Sequence, residues 1–375
     1  MALSVRGFCK LNLAFANNAL LKINTLNVGV RYIFAERSLG ITAYEHARLL
    51  YHNQFTTIED KFRSKMQEVC AKEDGVVFTE DLKAMLHLSE KHEDVQLVVN
   101  MIQKYIASSS ENKFSTYVFG PVVMRLLYYL NEPSVAVDTF SSASSSDFFK
   151  QTSTLKLLLC LLYKNNMYSE MKEMYDLMIH SERFSNLARP SFIVMVAACC
   201  KQNTSEALEY ALHVWKILNE QRTNSYKCAA FMAYLAIKQN RSELALEILA
   251  TVERQQYIDI RCLKVLAYLK LEKYLQIIPM FRSILEMDTA PTRKQTYFSD
   301  VITAVEEKLA SDPEASGVED LLNLIRELKR HNRITVIESL EEHLFTPINP
   351  MTKGTNLVKR NVRDTFNNVG MENYA

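Results

Sequence analysis

Glycine and proline are scarce in this chain, eight of each in 375 residues, and no glycine occurs between Gly120 and Gly317. Rossmann-type and all-β domains of this length need more such residues for their turns and phosphate loops. The shortage favours helices and leaves no Gly-rich phosphate loop. Long apolar runs are missing as well. Phe192 to Cys200 is among the longest, far short of the roughly 18 residues that span a bilayer, so no membrane insertion is expected. The seven cysteines form no Cys-x-x-Cys pair. An odd, scattered set in apolar helical context fits reduced, buried thiols better than a disulfide framework or a nucleophile. The eight histidines form no His-Glu-x-x-His, and His87 and His92 stand five apart, on different helix faces. No metal site and no cofactor is expected. Adjacent acids such as Glu306-Glu307 and Glu341-Glu342 do not converge on one point and read as solvated faces. The inventory gives no case for an enzyme. Net charge is nearly absent too, at +1, so any nucleic-acid surface must come from segregation of charge.

What is present is a ladder of asparagines: Asn131, Asn166, Asn203 and Asn240, with successive gaps of 35, 37 and 37 residues. Apolar residues follow each rung at fixed offsets: Ala136, Met171, Leu208 and Ala245, then Phe140, Tyr175, Leu212 and Leu249. A period in the mid-thirties is the signature of helix–turn–helix repeats stacked into a solenoid. With glycine absent, asparagine must supply the left-handed turn that ends a helix. First helices are expected near 152–164, 190–202, 224–239 and 257–271. Their partners are expected near 166–180, 204–219, 241–254 and 273–287. Helical spacing also covers 43–72, 79–90, 94–106 and 117–130, with Thr79 and Asp94 as N-caps. Later helices are expected at 294–310, 318–331 and 335–345.

Residues 1–34 carry Arg6, Lys10, Lys22 and Arg31 and no acid. A basic, acid-free, amphipathic start fits a mitochondrial transit peptide, and Arg31-Tyr32-Ile33-Phe34 resembles an arginine-led processing site. The expected organisation is a transit peptide at 1–34, a helical repeat domain at 43–345 with recognisable repeats over about 79–290, and a basic, loosely ordered tail at 346–375.

Charge divides between the two helices of each repeat. Windows over the first helices hold eleven bases against Asp147 and Asp259, whereas the second-helix windows hold thirteen acids against six bases. In a two-helix solenoid the first helices line one surface and the second helices the other. A basic inner face could neutralise the phosphates of single-stranded RNA. The alternative is that lysines near helix C-termini, such as Lys164, Lys201 and Lys238, answer the helix dipole.

The repeats resemble pentatricopeptide motifs, in which glycine usually holds the place of Asn166, Asn203 and Asn240. The string Tyr117 to Leu130, with Phe119-Gly120-Pro121 and Arg125-Leu126, resembles an animal mitochondrial member of that family, as do Leu86 to Tyr105 and the 152–178 repeat. The resemblance spans roughly 80–290. It implies an all-α protein, a right-handed α-solenoid of pentatricopeptide-like repeats, located in the mitochondrial matrix. It further implies action in RNA maturation that supports respiratory-chain function, with single-stranded mitochondrial RNA as ligand and RNA-processing proteins as further partners. In related repeats a base-reading residue sits nine positions before the turn. Here those places hold Val122, Leu157, Val194 and Phe231, which cannot hydrogen-bond a base edge. Backbone contact with little sequence preference is therefore expected, through Lys156, Lys164, Lys201, Lys227, Lys238 and Lys264. Two rivals remain: a protein–protein interaction scaffold of the tetratricopeptide kind, using the apolar groove and the acidic outer face without RNA contact, and a nuclease, for which no convergent acidic cluster is found.

Overall fold

Every rung of the asparagine ladder is a left-handed turn. Asn131, Asn166, Asn203 and Asn240 have φ between 50 and 59°, a region that asparagine tolerates better than most L-residues. At three of these rungs the residue after the turn bonds back five positions. Glu132 donates to the Leu127 carbonyl at 2.9 Å, Met167 to Leu162 at 3.0 Å and Arg241 to Ala236 at 2.8 Å. This is the Schellman closure that satisfies the last carbonyls of a helix. A fifth rung lacks asparagine: Glu272 holds φ 57°, and Lys273 closes the turn on Tyr268 at 3.0 Å.

The structure, a computed structural model, describes residues 33–107, 117–142, 147–179, 185–219, 225–286 and 295–348, with the side chains of 185–190 and 217–219 excepted. The expected targeting segment up to residue 32, the segment 143–146 and the tail from 349 lie outside the described residues. The chain is an all-α repeat solenoid. It opens with α1 (Glu36–Leu39), α2 (Ile41–Phe55) and α3 (Glu59–Ala71). Seven pairs follow: α4 (Thr79–Leu88) with α5 (His92–Ala107), α6 (Gly120–Leu130) with α7 (Pro133–Ser142), α8 (Thr152–Lys164) with α9 (Tyr168–Ile179), and α10 (Ser185–Gln202) with α11 (Ser205–Asn219). Then come α12 (Tyr226–Lys238) with α13 (Ser242–Ala250), α14 (Ile258–Lys270) with α15 (Ile278–Glu286), and α16 (Ser299–Ser311) with α17 (Val318–Arg330). A short α18 (Leu340–Phe345) ends the described chain. The first helices stack in series, α4 on α6 and so on to α14 on α16. No helix among the described residues is long and apolar enough to cross a membrane.

The first helices form the core of the stack. Residues 191–200 of α10 and Cys228–Ile237 of α12 are buried in unbroken runs. A helix that is apolar all round needs cover on more than one side. The second helices cover the back, and something must cover the front.

Four expectations need correction. The run 43–72 is two helices, because Thr56 turns its hydroxyl onto the carbonyls of His52 and Asn53, at 2.9 and 3.0 Å, and hydroxyls bonded back in this way compete with the helix ladder. Thr79 does not cap α4; its hydroxyl meets that of Tyr105 at 3.2 Å. Asp94 lies inside α5, reaching back to the amides of Glu90 and Lys91 at 2.9 and 3.1 Å. The last helix starts at Leu340, because Ile334–Thr335 pair in parallel with Tyr297–Phe298 as a two-stranded sheet, β2 on β1.

Candidate nucleic-acid interface

Lys201 and Lys238 occupy the same place in successive repeats, the last turns of α10 and α12. Because those helices pack side by side, the two ammonium groups converge. They meet on one carboxylate, that of Glu341 in α18. Lys238 Nζ donates to its Oε2 at 3.2 Å and Lys201 Nζ stands 3.6 Å from its Oε1. The Tyr234 hydroxyl donates to the same Oε2 at 2.6 Å. Burial opposes ionisation of Glu341, but the Tyr234 hydrogen bond, Lys238 and Lys201 together hold its carboxyl below the usual range. In return, burial and then the Glu341 carboxylate push the Tyr234 hydroxyl up.

Beside this ion pair lies an aromatic seat. The Phe345 ring packs on Phe231 with centroids 5.1 Å apart, and Lys201 Nζ sits 3.9 Å from its centre. Lys227 donates to the His343 carbonyl at 3.2 Å, and burial holds its ammonium below the usual lysine range. Lys156 lies over the Phe34 ring at 4.4 Å. Lys164 lies over Tyr128 at 5.1 Å. Lys264 is half-buried, and burial lowers its pKa as well. Four of the six candidate lysines, Lys156, Lys201, Lys227 and Lys238, therefore touch Phe34 or the segment 341–345, and Lys164 and Lys264 lie on the same helix row.

The cover over the first-helix row is thus the chain's own C-terminal strap, residues 338–348. It starts at α16, where Leu340 N donates to Asp300 Oδ2 at 3.0 Å. His343 packs on Phe298 with ring centroids 5.0 Å apart, and the strap continues across α14 and α12. Leu340, Leu344 and Phe345 are buried beneath it. It ends at the N-terminal segment, where Ile348 N donates to the Ile33 carbonyl at 2.9 Å and Ala35 N to the Ile348 carbonyl at 3.2 Å. Phe34 and Ile348 form an isolated parallel bridge.

Glu341-Glu342, expected as a solvated face, is not one. Glu341 is the anion of the groove, while Glu342 closes a capping box with Ser339, whose amide donates to Glu342 Oε2 at 2.8 Å. The Ser-x-x-Glu signal for that box stood in the sequence. The signal for the cover itself was the lack of a polar face on α10 and α12.

Other charges of the first helices have local duties. Lys270 donates to the Ile237 carbonyl and to Asn240 Oδ1, at 2.8 and 2.9 Å, and so answers the end of the preceding helix. Arg261 is buried and donates to Gln295 Oε1 and the Thr296 carbonyl at 2.9 and 2.8 Å. The reader positions Val122, Leu157, Val194 and Phe231 are all buried, none more than 9% exposed, so they present nothing to a base. Cys160, Cys199, Cys200, Cys228 and Cys262 are buried free thiols. Burial pushes Cys200 well up, and its Sγ–H donates to the Phe231 carbonyl at 3.2 Å; a protonated, enclosed thiol is a poor nucleophile.

Several known proteins share this sequence pattern at low identity. A mouse (Mus musculus) protein named pentatricopeptide repeat-containing protein 2, mitochondrial, is 24% identical over 287 residues, covering 76% of this chain and 74% of its own. The zebrafish (Danio rerio) protein of that name is 25% identical over 219 residues, 57% of this chain and 55% of its own. The human one is 21% identical over 287 residues, 76% and 73%. No family model matches the chain, and no solved structure does. With the mid-thirties period and the left-handed turn at each repeat, the chain is similar to the proteins named pentatricopeptide repeat-containing protein 2.

Proposed function

We propose that the protein is a non-enzymatic, single-stranded-RNA-binding protein of the mitochondrial matrix that assists maturation of mitochondrial transcripts and so supports the respiratory chain. RNA-processing proteins supply the chemical step. The observation that carries the reading is the convergence of Lys201 and Lys238, from successive repeats, on one carboxylate beside the Phe345 ring. Two ammonium groups at that separation suit a phosphate, and the aromatic seat suits an unstacked base. The names of the relatives, which print both the repeat and the mitochondrion, support family and location. The buried reader positions favour contact with the RNA backbone over a base-by-base code.

The test is charge reversal in the full chain. Lys164→Glu, Lys201→Glu and Lys238→Glu together should weaken binding of single-stranded RNA and flatten its salt dependence by about 2 units of logarithmic slope, at roughly 0.7 per lost phosphate contact. Unchanged affinity with unchanged thermal unfolding overturns the assignment. A second reading, a peptide-binding scaffold, is favoured by one observation: the groove already holds a peptide segment, residues 338–348. On that reading, material recovered with the protein is polypeptide and survives nuclease.

A further inference from the structure

The groove that carries the RNA reading is filled by groups with the chemistry of its ligand. The Glu341 carboxylate is an anion held by Lys201, Lys238 and Tyr234. Four residues on, Phe345 lays a ring between Phe231 and the Lys201 ammonium. A carboxylate takes the same charged hydrogen bonds as a phosphate oxygen, and a phenyl ring takes the same stacking as a base. We propose that the strap 338–348 is a built-in competitor of the RNA: Glu341 holds a phosphate place and Phe345 a base place, and RNA binds there when the strap lifts. The proposal rests on the RNA reading and deepens it by naming how the site is regulated.

The strap can open without unfolding the repeats. Most of the closure of the helix row comes from contacts between neighbouring repeats, and α18 is only the six residues Leu340–Phe345. Its hold is a few defined contacts: Asp300 on the Leu340 amide, Lys227 on the His343 carbonyl, Glu341 on two lysines, and Ile348 on Ile33 and Ala35. When a ligand needs a form that is only partly populated, its apparent affinity falls by that fraction. A strap that opens rarely therefore keeps affinity for RNA low, and weakening the strap raises it.

The experiment uses the full chain and fluorescein-labelled single-stranded RNA of randomised sequence. Glu341→Gln should tighten binding about threefold, and Phe345→Ala about tenfold or more, because it removes a buried ring from the closed form. Phe345 is part of the core, so the unaltered protein supplies the second measurement, by hydrogen exchange. Saturating RNA should speed exchange at the amides of His343 and Ile348, which are bonded to Ser339 and Ile33 in the closed form. If RNA binds the unaltered chain while those amides stay as slow as before, and Glu341→Gln binds no tighter, the competitor proposal is overturned and the RNA reading stands. If no form, Glu341→Gln and Phe345→Ala included, binds RNA, the RNA reading is overturned and the proposal with it.

Discussion

Glu272 holds a left-handed backbone, φ 57°, at the place where the four preceding repeats have asparagine. That conformation puts Cβ against the following carbonyl and costs an ordinary L-residue roughly 1–2 kcal/mol. The side chain gains little in return, since its ion pair with Lys308 at 2.9 Å is exposed and screened by solvent. Glu272→Gly should therefore raise stability, by about 1 kcal/mol in a urea titration. Its counterpart at an earlier rung, Asn166→Ala, should lower stability by a similar amount, with Asn166→Gly close to neutral. No gain from Glu272→Gly would mean that the fifth turn is held by its surroundings alone. The first four rungs were legible because asparagine and glycine are the residues that enter this region, and their spacing betrayed the period. The fifth was not legible, because glutamate carries no such signal and only the structure shows it in the turn. Lys201 and Lys238 were legible as last-turn bases; that they share one carboxylate was not.

At the scale of elements, the string Phe119-Gly120-Pro121 shows what a close approach demands. A Cβ on Gly120 would stand 2.8 Å from the Phe148 carbonyl and 2.8 Å from Thr154 Oγ1, and 2.9 Å from Gln151 Oε1. The first of these is backbone and cannot swing aside. Gly120→Ala should therefore cost about 1–3 kcal/mol, the usual range for overpacking, and show it as earlier thermal unfolding. A loss within a few tenths of a kcal/mol would mean that the start of α6 can shift away from the 148–154 segment. The same scale explains which helices could be read. α8 and α12 were placed to within two residues, since apolar spacing inside a helix is a local signal. The strap and β2 were not. The parallel pairing of Ile334–Thr335 with Tyr297–Phe298 joins segments far apart in sequence, and no spacing rule within 335–345 reports it.

The whole molecule is a stack whose repeats touch mainly their neighbours, and such arrays unfold piece by piece unless something ties them. The tie here is the contact of Ile348 with Ile33, Phe34 and Ala35, reinforced by Ser38 Oγ, which donates to the Ile348 carbonyl at 2.9 Å across 310 residues of sequence. Ile348→Asp would place a charge in that half-buried contact. Exchange of the Ala35 amide should then accelerate while α12, buried in the middle of the stack, stays protected; acceleration along α12 as well would mean that the strap holds the whole row in place. The division of charge between the two helix layers was visible in the sequence. What was not visible is that Arg261 and Lys270 are bound locally, so the basic face is narrower than the count of its bases suggests.

A strap anchored at two places along a stack also fixes the number of repeats between them. Repeat arrays change by gaining or losing whole units, because each unit needs only a neighbour to lean on. In this chain each added pair would push those places apart by about 10 Å, the distance between packed helices. A strap that reaches from Asp300 to Ile33 has no slack for that shift: one repeat more or fewer would move Glu341 off Lys201 and Lys238, or part Ile348 from Phe34. The strap therefore acts as a ruler, and the number of repeats between α8 and α16 is one that this protein could not change without losing the closed form.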